Sequence, residues 1–380
     1  MSRTALRMLL GDKTKCLGLV FGVMLTTLLM CQQISILIGL LNRAASVIDD
    51  AREVEIWVMD PSVTTIDVPF PLRDTALPRV RGVEGVEWAV PFFKAGTQIR
   101  TRDGRLDGGF IIGLDDDTLI GMPDEFVLGS AQDLALPDAI ALNPAGYALL
   151  FPGEELQLGK EIEINDRRAV VTGIVDVLPT FNSNLLIYTR YSRALEFTNN
   201  GRNEMSFILA RASDPARVAE VSDRISTQTE LKAVPSSTFR NESIGYILSN
   251  TGIPASFGTV VVLGILVGVA IVGLTFNQFI SENLRQYAAL KAVGVGDGTL
   301  LRMTLLQAMF VTVVGYGLGL LAAAAFLAGA SNAADGLAGF VLRPEIAIGV
   351  AILAVLMVLA STIVSMRRVL VVDPATVFRG

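Results

Sequence analysis

The densest set of side chains able to hold a metal is Asp115-Asp116-Asp117, followed by Asp124 and Glu125. Carboxylates suit Ca²⁺, but this run lacks the alternating ligands, the glycine and the terminal glutamate of an EF-hand loop. A solvated acidic loop is the better reading. The chain has no histidine, which removes His-based triads, imidazole proton shuttles and the usual zinc sites. Serines and carboxylates are plentiful, yet none sits in a nucleophile elbow. Cys16 and Cys31 lie on one predicted helix, roughly 22 Å apart, too far to bridge. No phosphate-cradling G-x-x-x-x-G-K-[ST] occurs, and Gly315, Gly317 and Gly319 lie inside an apolar run with no strand before them. Any ATP chemistry therefore belongs to another chain. This is not visibly an enzyme, and no cofactor is expected.

One charged stretch stands out against its surroundings. Glu282, Arg285, Lys291, Asp297 and Arg302 lie between two long uncharged runs, Ser256–Ser281 and Met303–Ala334. Ser281 is placed to cap a short helix, with Glu282 at its positive end and Arg285 and Lys291 toward its negative end. Gly294 and Gly296 stop that helix, and Asp297 is placed to cap the next. Such an amphipathic hairpin offers a soluble partner a place to push. On these residues alone, a loop that merely reverses the chain is an equal alternative.

The elements that position this stretch follow from composition. Of 380 residues, 51% are hydrophobic and 18% charged, too few charges for a soluble globular protein. Four uncharged runs, Cys16–Asn42, Ser256–Ser281, Met303–Ala334 and Ile346–Met366, each reach the roughly 20 residues that a membrane crossing requires. None carries Asp, Glu, Lys, Arg or His in its interior, which disfavours ion-coupled secondary transport. Basic residues flank the runs at Arg3, Arg7, Lys13 and Lys15, at Arg285, Lys291 and Arg302, and at Arg367, Arg368 and Arg379. The positive-inside rule places all three groups in the cytoplasm. Residues 43–255 hold 31 Asp and Glu against 20 Lys and Arg, which places that block outside.

The expected division is a cytoplasmic lead at 1–15, membrane helices at 16–42, 256–281, 303–328 and 345–366, and the external block at 43–255. A cytoplasmic loop fills 282–302, a short external loop 329–344, and a cytoplasmic tail 367–380. The lead reads as an amphipathic helix on the inner leaflet through Leu6, Met8, Leu9 and Leu10. Gln32 and Gln33 are polar at membrane depth and read as glue between helices. The external block opens with a helical stalk over Arg43–Arg52. Strands follow over Val54–Asp60, Val86–Phe93, Phe110–Leu114, Ile140–Leu142, Lys160–Ile164, Ala169–Val175, Leu185–Tyr188, Phe207–Arg211 and Leu231–Val234. Helices fall at Leu72–Val80, at Pro215–Thr227 behind Asp214, and at Phe239–Asn250. Strand–helix–strand twice, interrupted over about 97–176 by short strands, predicts a split βαβ α+β domain with a small β subdomain inserted.

Several of these tracts carry a resemblance. Leu284-Arg285-Gln286-Tyr287 to Leu290-Lys291-Ala292-Val293-Gly294, with Leu301-Arg302 and Leu306-Gln307-Ala308, resembles the coupling segment of FtsX-like and MacB-like ABC transporter permeases. Leu158–Ile164 and Val171–Ile174 resemble the β subdomain of MacB-like periplasmic domains. Leu9–Lys15, Gly18–Val23, Gln32–Ile36 and Val54–Pro61 resemble the DevC-like branch, and Asp373–Arg379 resembles the family's tail. The resemblance implies an inner-membrane permease subunit with four membrane helices, both termini cytoplasmic, and a periplasmic porter-like domain between the first two helices. It implies a separate cytoplasmic ABC ATPase, a homodimer, a periplasmic adaptor and an outer-membrane duct, with membrane lipid around the helices and no nucleic acid. The residues expected to meet the ATPase are Glu282, Leu284, Arg285, Tyr287, Ala288, Leu290, Lys291, Val293 and Gly294. Gln32 and Gln33 are expected at the dimer contact. The same architecture also serves an FtsX-like signal transducer that activates a periplasmic hydrolase, and a lipoprotein-releasing permease; both remain open here.

Overall fold

The computed structural model describes residues 2–101, 104, 106–198, 204–331 and 340–371. The expected external loop from 332 and the tail motif from 373 therefore lie largely or wholly outside the described residues. The chain divides into two units, one mainly Gly39–Thr251 and the other made of the apolar helices.

The helical unit holds α1 (Ser2–Gly11) and four helices long and apolar enough to cross a membrane among the described residues. These are α2 (Lys13–Arg43), α9 (Ile253–Glu282), α11 (Asp297–Ser331) and α12 (Pro344–Val371). With 35 residues, α11 runs about 52 Å at 1.5 Å per residue, well beyond a hydrocarbon core of about 30 Å. Its first turns, with Asp297 and Arg302, can therefore stand clear of the lipid. Close approach depends on missing side chains. A Cβ on Gly315 would lie 2.7 Å from Val23, and one on Gly319 would lie 2.6 Å from the Met24 carbonyl. A Cβ on Gly317 would meet nothing within 4 Å. Of the glycine ladder, only the pair four residues apart is used, and it seats α11 on α2 of the same chain.

The lead helix departs from its expected role. Ala5 and Leu9 are buried against protein, so Leu9 does not face lipid as its spacing suggested; Leu10 is half-exposed.

The other unit is built on a ten-stranded mixed sheet. Its strands are β1 (Ile56–Met59), β2 (Val86–Arg100), β3 (Leu106–Leu114), β4 (Phe126–Leu128), β5 (Ala139–Leu142), β6 (Glu161–Ile164), β7 (Arg167–Val175), β8 (Leu186–Arg190), β9 (Phe207–Ala212) and β10 (Lys232–Pro235). The order is β10-β1-β9-β2-β3-β8-β5-β7-β4, with β6 on β2 and β7. Pairing is antiparallel except for β3 with β8 and β5 with β7. The strands expected as an inserted subdomain join the porter-like strands through the long β2–β3 hairpin.

Every residue of β1 is buried because the sheet is covered on both faces there. Ile56 and Val58 pack on α4 (Ala76–Arg81) and α7 (Val218–Thr229), through Val80, Val221 and Ile225. Trp57 and Met59, on the opposite face by the period of two, meet α3 (Ser46–Asp50) and α8 (Ser236–Asn250). There the Trp57 ring lies 5.3 Å from Phe92, 5.5 Å from Phe207 and 5.6 Å from Phe239. A third cluster joins Ile111, Ile140 and Ile187 to α5 (Pro144–Leu150) and α6 (Tyr191–Phe197).

Two expectations are corrected. The stalk over Arg43–Arg52 is interrupted: α2 ends at Arg43 and only Ser46–Asp50 is helical, with Val47 and Ile48 buried in the domain core. The second strand does not stop at Phe93. It continues to Arg100, with Lys94 buried and ion-paired with Asp67.

The helix seam gives a direct test. Gly319→Val should cost roughly 1–3 kcal/mol by overpacking against the α2 backbone, while Gly317→Val should be silent. Thermal unfolding of the two variants in detergent measures the difference, and equal effects would place the seam elsewhere.

Candidate functional site

The corner between α9 and α11 is a sequence of three local decisions. At its start Asn283 breaks the helix: its side-chain amide donates to the Phe279 carbonyl at 2.8 Å, closing α9. A short helix, α10 (Leu284–Ala292), follows at once. Its end is a Schellman turn, with Gly294 N–H donating to the Lys291 carbonyl at 3.0 Å and Val295 N–H to the Leu290 carbonyl at 3.0 Å. Gly294 has φ +94°, the left-handed region that glycine enters freely. An ion pair of 3.0 Å from Lys291 to Asp297 spans the turn. Ser281 is not the cap its type suggested. It lies inside α9 with its hydroxyl donating to the Asn277 carbonyl, so Glu282 ends α9 rather than starting the next helix.

The inner side of α10 is anchored. Tyr287 is 1% exposed, packed among Leu9, Phe279 and Leu300, and burial pushes its phenol up. Its hydroxyl lies 3.4 Å from Gln307 Oε1 on α11, and Gln307 Nε2 donates to the Ala5 carbonyl on α1 at 2.7 Å. Beside this relay, Lys15 pairs with Asp12 at 2.6 Å and with Glu282, which also accepts from Gln278 at 3.1 Å. Lead helix, first membrane helix and both sides of the corner are thus bonded together.

The outer side is open. Arg285, Gln286, Ala289, Ala292 and Val293 are exposed, Val293 by 86%. A cleft of about 640 Å³ runs alongside, lined by Arg7, Asp12, Glu282, Asn283 and Gln286 among others.

The residues expected to meet a partner therefore divide. Arg285, Val293 and Gly294 are on the surface, and Glu282 is exposed but engaged by Lys15. Leu284, Leu290 and Lys291 are half-buried, the two leucines against the core. Tyr287 and Ala288 are buried and face inward. Gln307 and Lys15 were missed as site residues. A polar Gln in an otherwise apolar run was the available signal for the first, whereas Lys15 read only as a topology charge. Gln32 and Gln33 are half-buried on α2. The acidic run serves its own loops: Asp115 accepts from Thr118, and Asp116 from Ser192.

Four apolar helices, an α+β domain between the first and second, and a short anchored helix between the second and third define a multi-pass membrane subunit. Residues 16–228 match the model of the MacB-like periplasmic core domain, and residues 258–374 match that of the FtsX-like permease C-terminal region. The chain belongs to this family of FtsX-like and MacB-like permeases, as an ABC-type transmembrane subunit of the inner membrane. Membership implies an ABC ATPase partner and a dimer. Among solved structures, the chain is similar to the periplasmic region of MacB from Actinobacillus actinomycetemcomitans, at 15% identity and a TM-score of 0.37, covering 54% of this chain and 98% of that one. It is also similar to the extracellular domain of the noncanonic ABC-type transporter YknZ from Gram-positive bacteria, at 13% identity and a TM-score of 0.36, covering 48% and 98%. The family assignment rests on the two family models. No curated protein matches the chain.

The anchor is testable by a double-mutant cycle in detergent. Gln307→Leu removes the amide that meets both Tyr287 and the Ala5 carbonyl and should lower stability by about 1–3 kcal/mol. Tyr287→Phe should cost less, and the pair should cost less than the sum of the singles. Strict additivity would show that the hydroxyl and the amide do not interact.

Proposed function

We propose that this chain is the permease subunit of an ATP-driven exporter of the MacB/DevC type, and that it transmits force rather than conducting cargo. A separate cytoplasmic ATPase pushes on α10, and rigid helices carry the movement to the external domain, which lies in the periplasm. The observation that carries this reading is the two-sided nature of α10: its inner face is anchored through Tyr287, while Arg285, Ala289, Ala292 and Val293 are open on the other. A reversing loop needs no such anchor.

Other features support the arrangement. The basic residues around Lys13, Arg285 and Arg367 favour both termini and α10 in the cytoplasm. The apolar runs contain no Asp, Glu, Lys, Arg or His in their interiors, consistent with cargo that passes through the periplasmic domains alone. The subunit itself is non-catalytic and binds no cofactor. In the homodimer the first two membrane helices form most of the contact, with Gln32 and Gln33 within it. Gly315 and Gly319 are engaged within the chain, and α9 keeps Leu263, Leu266 and Leu274 exposed for a partner or lipid. A periplasmic adaptor and an outer-membrane duct complete the machine, on the strength of the DevC-like motifs at Leu9–Lys15 and Val54–Pro61.

The test reverses charge on the open face. Arg285→Glu combined with Val293→Asp should reduce co-purification of the ATPase at least roughly tenfold, since rim charges and an apolar anchor are lost together. The unfolding temperature should stay unchanged because neither side chain is buried. Undiminished co-purification would reduce α10 to a connector.

A further inference from the structure

The two points at which the external domain joins the apolar helices open on one cleft. Ala44 follows directly on α2, and Thr251 stands two residues before α9. Both line a cleft of about 160 Å³, together with Val68, Phe181 and Tyr246. Its rim is apolar and open. Val68 is 50% exposed, Phe70 two residues on is 43% exposed and Tyr246 36%, while Phe181 is half-buried.

Three segments meet at this cleft, and each is depleted of charge in a block where acidic residues outnumber basic ones. Residues 177–189 and 243–251 hold no Asp, Glu, Lys, Arg or His, and residues 61–72 hold only Asp67. That carboxylate is turned inward, its side chain 6% exposed and paired with the fully buried Lys94. At the end of α2, Arg43 is also buried and donates to Asn184 at 3.2 Å. An open apolar face without charge is suited to contact with another apolar phase.

The backbone points to which phase that is. Val68 donates its N–H to the Thr65 carbonyl at 3.3 Å and Leu72 to the Met205 carbonyl at 2.8 Å, while Pro69 and Pro71 have no N–H to donate. A partner that adds a strand needs free main-chain donors, whereas lipid demands that donors be already bonded or absent. Connectivity agrees, since the helices that cross the membrane begin beside Ala44 and Thr251. We propose that this face rests on the lipid leaflet at the domain's end of α2 and α9. Val68 and Phe70 enter the acyl chains, and Tyr246 lies at the headgroups, where tyrosine is enriched. The assignment needs only that α2 and α9 cross the membrane, and it stands whether or not α10 meets an ATPase.

The test is spin-label accessibility on the full chain carrying Cys16→Ala and Cys31→Ala, one copy per nanodisc of phosphatidylethanolamine and phosphatidylglycerol. A nitroxide is attached in turn to Val68→Cys, Phe70→Cys and Tyr246→Cys, and for reference to Leu156→Cys in an exposed loop of the same domain. Relaxation is driven by oxygen, which concentrates in lipid, or by a neutral nickel chelate, which stays in water. Oxygen should dominate at positions 68 and 70, the two should be nearer balance at 246, and nickel should dominate at 156. Nickel dominating at 68 and 70 as it does at 156 would place this face in water and overturn the assignment. Exclusion of both reagents there would overturn it too, showing that protein covers the face. The positions report separately, so a variant that fails to fold leaves the others to decide.

Discussion

A phenol hydroxyl buried between helices must find a partner, and the partner Tyr287 finds fixes the cytoplasmic end of the helical unit. Its hydroxyl reaches Gln307, and Gln307 reaches the Ala5 carbonyl. Three segments remote in sequence are held by two hydrogen bonds and the apolar cluster around them. Removing Gln307 breaks both bonds at once. The Lys15–Glu282 pair closes the same corner from the side. Without this anchor, a push on α10 would be absorbed by the single-residue break at Asn283.

At the other end of the helices the connectors are short. Only Thr251 and Gly252 separate α8 from α9, and only Ala44 and Ala45 separate α2 from α3. Within the external domain, α8 is fastened to the sheet by Phe239 against Trp57 and Phe207. Short connectors joined to a packed aromatic core are what the proposed transmission of force requires, since a flexible linker would dissipate it.

Much of this was legible in the sequence wherever one local rule decides the outcome. The four apolar helices follow from length alone, and the end of α10 follows from Gly294, because a Schellman turn needs a left-handed residue. Asp214 was readable as a cap and does accept from the Ala216 N–H. Failures came where two partners compete for one group. Ser281 is a good capping residue, but inside a continuing helix its hydroxyl bonds back to Asn277. The second strand was expected to end at Phe93; it runs on to Arg100, with Lys94 buried and paired with the distant Asp67. Tyr287 was expected at the partner contact and is buried, since a helix of nine residues with apolar side chains on both faces does not declare which face is inward. Gln307 could be seen as unusual, but its partners on α1 and α10 lie 302 and 20 residues away.

The central claim is that α1, α10 and the start of α11 move as one body under the ATPase. The most direct measurement is the distance between spin labels at Leu10 and Ala289, both exposed, by pulsed electron resonance on the chain assembled with its ATPase. The account predicts the same distance distribution without nucleotide and with ATP trapped, and a broadened one in Gln307→Leu. A distance that shifts with nucleotide in the unmodified corner would show α10 hinging at Asn283, and would contradict the anchor as the route by which force leaves the ATPase.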